Sequence, residues 1–344
     1  MHFASDNSGP VPQQILDALA RANTGYAMGY GAEAEMAEVT ARIRTLFEAP
    51  DAAVYLVATG TAANVLALSA LAQPWQTIFC TRPAHILQDE CNGPEFFTGG
   101  AKLTPVTEAG KMTPEALRAA IDGEETRGVH GPQRGPVSLS QVTELGTVYS
   151  AGELGALCGV ARDHRLPVHM DGARFANALV SLGCTPAEMT WKAGVDAVSF
   201  GGTKNGCLGV EAVIFFDPAH AQAFEYRRKR GAHLFSKHRY LSAQMLAYLT
   251  DDLWLENARA ANAKCALLAD GLRAAGADFA HQPQANMIFA ALPRATHRKL
   301  FAAGAVYHLW EGGMAGPEDE PVTARFVCDW SLPEQEISAF LALL

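Results

Sequence analysis

The sequence predicts an α/β protein: one large domain on a mostly parallel sheet, then a smaller C-terminal α/β domain. Three observations lead there. Apolar strand-like runs alternate with helical patterns from about residue 50 to 216, the order that lays parallel strands side by side under helices. From about residue 240 the chain changes to long helix followed by short strands. The 344 residues, 49% apolar and 18% charged, exceed one simple core and supply ample material to bury.

The elements follow in order. Residues 11–23 set Ile15, Leu16 and Leu19 at helical spacing behind Pro12. Residues 33–49 repeat the pattern with Met36, Val39, Ile43 and Phe47. The strand AAVYLV (52–57) runs into ATGTAANVLALSALA (58–72), a strand, glycine turn and helix. Short strands are expected at 77–80 and 102–106, a helix at 113–121, and a strand entering a loop at 136–143. Ser150 and Glu153 form a capping box for a helix over 150–164. The strand LPVHMD (166–171) ends in an acid. Residues 241–276 read as nearly continuous helix, 286–292 and 324–330 as strands, and 331–344 as a helix with a second capping box, Ser331 and Glu334. The division falls between an N-terminal segment with the large domain (1–245) and a small domain (246–344).

The formal net charge of −9 disfavours nucleic acid and anionic membranes. The run YRRKRG (226–231), with Lys237, His238 and Arg239 after it, is the clearest basic cluster. Seven scattered cysteines, none in a CxxC pair, fit a reducing compartment and carry no zinc signature. The N-terminus MHFASDNSGP lacks the basic and apolar regions of a signal peptide, and no apolar run approaches a membrane span. The expectation is a soluble cytoplasmic protein with no metal.

Four features at strand ends could carry chemistry, and each has a plain structural alternative. TGTAAN (59–64) opens a helix with Gly60 and Thr61; free N–H groups there suit a phosphate, or simply await a cap. In VHMDGARFANA (168–178) Asp171 ends a buried strand and Arg174 follows. The two could pair internally, or Asp171 could meet a protonated ligand nitrogen and leave Arg174 free for a carboxylate. SFGGTKNGCLG (199–209) places Thr203 and Lys204 among glycines between apolar strands. A desolvated lysine there is a candidate nucleophile for a carbonyl, whereas most hairpin lysines are merely solvated. His85 in PAHILQDE (83–90) follows a short strand, and a lone histidine is more often structural. Together these features match what pyridoxal phosphate needs: a helix N-terminus for phosphate, an acid for the pyridine nitrogen, and a lysine for the aldehyde.

The segments ASDN (4–7), GYG (29–31), TGTAAN, AHILQDE, HMDGARFANA and SFGGTKNG, in this order over nearly the whole chain, resemble the low-specificity L-threonine aldolases. These are fold-type-I pyridoxal phosphate enzymes of the aromatic-amino-acid β-eliminating-lyase superfamily. The resemblance implies a large domain with a seven-stranded-type sheet and a lyase that serves glycine biosynthesis and threonine catabolism. It would split L-threonine, L-allo-threonine and related β-hydroxy-α-amino acids into glycine and an aldehyde. It implies that Lys204 holds the cofactor, that Asp171 pairs with the pyridine nitrogen, and that Gly60, Thr61 and Thr203 bind phosphate. His85 would stack on the ring. Ser5, Arg174 and Arg325 would grip the substrate carboxylate. Tyr30 would border a neighbour's site, and Arg228, Lys229 and Lys237 would reach its phosphate, in a homodimer or homotetramer with shared active sites. Many relatives carry a histidine near the substrate hydroxyl; here SQVTELG stands there and Glu144 is the nearest match. The β-hydroxyl base is then Glu144, His85, or a water held by either. A phenylserine-preferring aldolase, another fold-type-I lyase or aminotransferase, and a non-catalytic pyridoxal phosphate-binding module remain as alternatives; the substrate-gripping residues speak against the last.

Overall fold

The computed structural model describes residues 1–344. Seven strands form the larger sheet: β1 (Ala53–Val57), β2 (Gln76–Cys80), β3 (Lys102–Pro105), β4 (Gln133–Ser140), β5 (Val168–Gly172), β6 (Ala197–Gly201) and β7 (Glu211–Phe215). Their order across the sheet is β1-β7-β6-β5-β4-β2-β3. The neighbours β6, β5, β4, β2 and β3 run parallel, as the alternation of strands and helices predicts. β7 is antiparallel to both β1 and β6. Its connection from β6, residues 202–210, is too short for a crossover helix, so the chain has to turn back. The lysine sits in that reversal.

Helices cover both faces. Gly60–Leu71 is buried continuously from Ala62 to Ser69, consistent with its nearly all-apolar sequence. The capping box of Ala151–Asp163 forms as expected: the Glu153 N–H donates to Ser150 Oγ at 3.2 Å, and the Ser150 N–H donates to Glu153 Oε2 at 2.7 Å. Phe47, Phe175, Phe200 and Trp254 pack edge-on or tilted in the main core, with centroids 5.3–5.7 Å apart.

Two expectations fail locally. The stretch 241–276 is two helices, Arg239–Tyr248 and Leu253–Ala274. Between them Asp251 (φ 50°) and Asp252 (φ 57°) adopt left-handed backbone, which aspartate tolerates better than most residues. Ser331 and Glu334 make no capping box. Pro333 precedes the helix Glu334–Leu341 without a side-chain cap. Asp329 takes the expected partner instead, accepting from the Ser331 hydroxyl (2.7 Å) and from the N–H groups of Ser331 and Leu332.

The smaller antiparallel sheet has strands β8 (Asp278–Phe279), β9 (Met287–Pro293), β10 (His308–Glu311) and β11 (Pro321–Val327), ordered β10-β11-β9-β8. The first residues of the chain join it. His2 bridges Val306. The Phe3 N–H donates to Val306 O and Phe3 O accepts from Val327 N–H, both at 2.8 Å. Phe3 is fully buried with Ile288, Phe326 and Phe340. The segment assigned by sequence to the large domain thus begins in the core of the small one. No helix is long and apolar enough to cross a membrane.

Candidate active site

The C-terminal ends of β1, β2, β4, β5 and β6 lie along one edge of the sheet, and the loops leaving them surround a cavity of about 360 Å³. This is where open α/β sheets place ligands. Gly60, Thr61, His85, Glu144, Asp171, Arg174, Thr203 and Lys204 all line it. Eight residues from five strand ends, each singled out in the sequence, therefore meet in one space.

The phosphate-type turn is built as its sequence suggests. Thr59 caps the helix by accepting the Ala62 N–H on Oγ1 at 3.1 Å. The N–H groups of Gly60 and Thr61 donate to no protein acceptor and carry the positive end of the helix dipole.

Lys204 sits in a tight turn, Thr203–Asn205, directly after β6. The turn is tied down from below. Asn205 donates to Tyr248 Oη and Trp254 O, both at 2.7 Å; Tyr248 Oη donates to Gly201 O at 3.1 Å; Asn257 donates to Asn205 O at 2.9 Å. The glycines let this backbone pack closely. A Cβ on Gly202 would stand 2.6 Å from Val210 O, and Gly206 has φ 121°. Lys204 Nζ itself makes no hydrogen bond or ion pair. The frame is fixed and the amine is free.

Asp171 is buried at the end of β5. Its Oδ1 accepts the Ala173 N–H at 3.0 Å and its Oδ2 accepts Asn64 Nδ2 at 2.8 Å. The same Asn64 nitrogen donates to Glu90 Oε1 at 2.9 Å, and that oxygen lies 2.9 Å from His85 Nδ1. The hydrogen bond to Glu90 raises the His85 pKa, against burial. Burial in turn raises Glu90, against the bonds from His85 and Asn64. One buried chain thus fixes the ring of His85 and the carboxylate of Asp171 together. Behind them His169 bridges Ser138 and Ser199 at 3.0 Å each, and burial lowers its pKa to about 4, so it is neutral.

Arg174 does not pair with Asp171, nor is its guanidinium left free. Asp6 takes two edges of it, Nε at 2.6 Å and Nη2 at 3.0 Å, and Asn286 donates to Asp6 at 3.0 Å. Nη1 is left for the cavity. Burial pushes the Asp6 carboxyl up, but the charges of Arg174 and Lys204, with hydrogen bonds from Arg174 and Asn286, outweigh it and hold the pKa below its ordinary value. A folded pKa below the unfolded one stabilises the fold above the unfolded value, near pH 4, and that stability is lost as pH falls through the folded value. Both partners are under one-tenth exposed. Asp6→Asn should therefore strand a buried guanidinium and cost about 3–5 kcal/mol of stability at pH 7. The deficit should shrink in melts below about pH 4, where the unfolded wild-type carboxyl takes up its proton before the folded one does; a deficit unchanged between pH 7 and pH 3 would refute this account.

Glu144 is half-buried at the cavity wall. Burial raises its pKa, with the charge of Lys204 opposing. Arg325 lies beside this group rather than in the cavity lining. Its guanidinium stacks over Trp310 at 5.7 Å, donates to Ala4 O at 3.2 Å, and leaves Nε buried and unpartnered. Ser5, next to Asp6, accepts the Asn7 N–H on Oγ at 3.1 Å. Tyr30 and Lys237 are exposed and lie outside the cavity lining. The Tyr30 N–H donates to Ser236 O, and Lys229 Nζ lies 5.2 Å over its ring. Arg228 is buried over Tyr55.

Sequence reading passed over Asp6, Asn64 and Glu90, although each lies inside a segment it singled out. It also passed over Glu211, which lines the cavity. The signal there was a lone acid in the otherwise apolar run VEAVIFF (210–216). Thr203, Lys204, Gly60, Thr61 and Asp171 line one cavity, and this donor set fits a phosphorylated, aldehyde-bearing pyridine.

Comparison with known proteins bears on the family and the fold. The family model for β-eliminating lyases matches residues 2–294. The low specificity L-threonine aldolase of Pseudomonas sp. (strain NCIMB 10558) is 39% identical over 99% of this chain and 96% of its own. The solved threonine aldolase of Leishmania major superposes with a TM-score of 0.92 at 27% identity, covering 99% of this chain and 98% of that one. A serine palmitoyltransferase of S. paucimobilis with a bound PLP adduct shares the fold, with a TM-score of 0.68 at 15% identity over 100% of this chain and 86% of that one.

Proposed function

The chain belongs to the β-eliminating lyase family, and from that membership and the site we propose a pyridoxal phosphate-dependent aldehyde-lyase of fold type I. It cleaves L-threonine, L-allo-threonine and related β-hydroxy-α-amino acids to glycine and an aldehyde. One observation carries the reading: a free lysine, a buried acid and a helix N-terminus with two unpartnered N–H groups converge on one cavity at the strand ends.

Bound pyridoxal phosphate supplies an electron sink when a bond to the substrate Cα breaks. The chain's own residues do the rest. Gly60 and Thr61 N–H groups, with the Thr203 hydroxyl, hold the phosphate. Asp171, kept rigid by Asn64 and Ala173, keeps the pyridine nitrogen protonated. His85, its edge fixed by Glu90, would hold the cofactor ring. Lys204, the lysine that lines the cavity, would hold the cofactor through its aldehyde. Arg174 Nη1, Arg325 and Ser5 would hold the substrate carboxylate and so fix the direction of its Cα–Cβ bond. Glu144 or His85, directly or through a water, takes the β-hydroxyl proton. Burial supports Glu144 by raising its basicity above an ordinary carboxylate's.

We further propose a large domain to residue 245 and a small one from 246, in a cytoplasmic homodimer or homotetramer. Leu208, exposed at the cavity, and Tyr30 offer surface that a neighbouring copy would cover. The direct test incubates cofactor-loaded protein with L-threonine, L-allo-threonine and L-phenylserine. Equal yields of glycine and the matching aldehyde are expected. Loaded protein that cleaves none of them would favour another lyase or an aminotransferase.

A further inference from the structure

We infer that Glu211 is a positioning residue that pins the lysine loop beside the phosphate turn and carries a proton while the phosphate is bound; this rests on the pyridoxal phosphate reading. Sheet register places it there. Glu211 opens β7 and faces Val57 on one side and Gly201 on the other. The phosphate turn starts just past Val57 and the lysine loop just past Gly201. Glu211 is buried, its Oε2 accepts the Gly202 N–H at 2.7 Å, and it lines the cavity with Gly60, Thr61 and Lys204. It has no counter-ion within salt-bridge distance.

The groups around it are few. The lysine loop brings Lys204 and the Cys207 thiol, and the helix Arg239–Tyr248 brings the Tyr248 hydroxyl. The helix Gly60–Leu71 carries no ionisable side chain. From β1 comes Tyr55, with Arg228 over its ring. Burial alone pushes the Glu211 carboxyl up, and hydrogen bonds from Thr203 and Gly202 with the charge of Lys204 draw it back to about 7. A phosphate dianion in the same cavity adds negative charge and raises it again. Phosphate binding above pH 7 therefore draws in a proton, and affinity falls as pH rises through and beyond 7. The neutral acid still accepts the Gly202 N–H through its carbonyl oxygen, so the loop stays pinned.

The test measures the Kd for pyridoxal 5′-phosphate of full-length wild type, Glu211→Gln and Glu211→Ala from pH 6.5 to 8.5. The three proteins differ only at residue 211, so differences between their profiles report Glu211 and its coupling to the groups around it. Glutamine mimics the protonated acid. It should bind like wild type at pH 6.5, and over the range its Kd should rise about tenfold less than the wild-type value. Alanine, without the acceptor, should bind weakly at every pH. Parallel profiles for wild type and Glu211→Gln would overturn the inference alone. A glutamine variant that fails to fold while Glu211→Asp folds would overturn it too, because the charge would then be required. Wild type that takes up no cofactor would refute the functional reading and this inference together.

Discussion

Lys204→Ala should lower turnover of β-hydroxy-α-amino acids by more than about a thousandfold. Lys204 is the one primary amine lining the cavity, while Lys229 and Lys237 are exposed outside it. No other side chain there can form and exchange a bond to an aldehyde carbon. The loop should survive the change, because its anchors act through Asn205 and the Gly201 carbonyl rather than through the lysine. Melting temperature should therefore stay close to wild type while activity disappears. Lys204→Arg separates charge from nucleophilicity: it keeps the positive charge beside Asp6 and Glu211 and should be equally inactive. Borohydride treatment of loaded wild type should fix the cofactor on the peptide holding Lys204, and on no peptide of either variant. Turnover within tenfold of wild type in Lys204→Ala would refute the assignment.

Asp171→Ala should cost several orders of magnitude in kcat/KM. The carboxylate is buried and already holds two hydrogen bonds, so its charge is fixed in place and little screened. That is the setting in which one carboxylate can hold a proton on a neighbouring ring nitrogen. Without it the nitrogen loses its proton, and the ring accepts electrons from a breaking Cα bond far less readily. Asn64→Ala removes only one of the bonds that orient Asp171 and should cost much less. A fall of under about tenfold (~1.4 kcal/mol) in Asp171→Ala would mean that the ring nitrogen has another partner.

Local chemistry was legible in the sequence, whereas pairing across long separations was not. The alternation of strands and helices, the Ser150 capping box and the glycines around Lys204 are short-range signals, and the structure carries each. Asp6 and Arg174 lie 168 residues apart, and no local pattern says which acid an arginine will meet. The reading that left Arg174 free had no means of finding Asp6. Ser331 and Glu334 had capping-box spacing, yet Asp329, two residues earlier, competes for the serine. Glu211 lies in a run read as an apolar strand, and nothing local in it says which way the acid faces. Only the sheet order, with β7 between β1 and β6, reveals that it faces the site.

The union of the first residues with the last strands has a bearing on how the protein is made. Phe3 pairs with Val327, and Asp6 is held by Asn286. A ribosome releases the first of these partners long before the second. The seven-stranded sheet can assemble as soon as β7 emerges, but Arg174 then has no fixed counter-ion until residue 286 and the final strands arrive. A nascent chain lacking its last 60 or so residues would have Lys204 and the Gly60–Thr61 turn in place, but Arg174 and Asp6 would lack the Asn286 that fixes them.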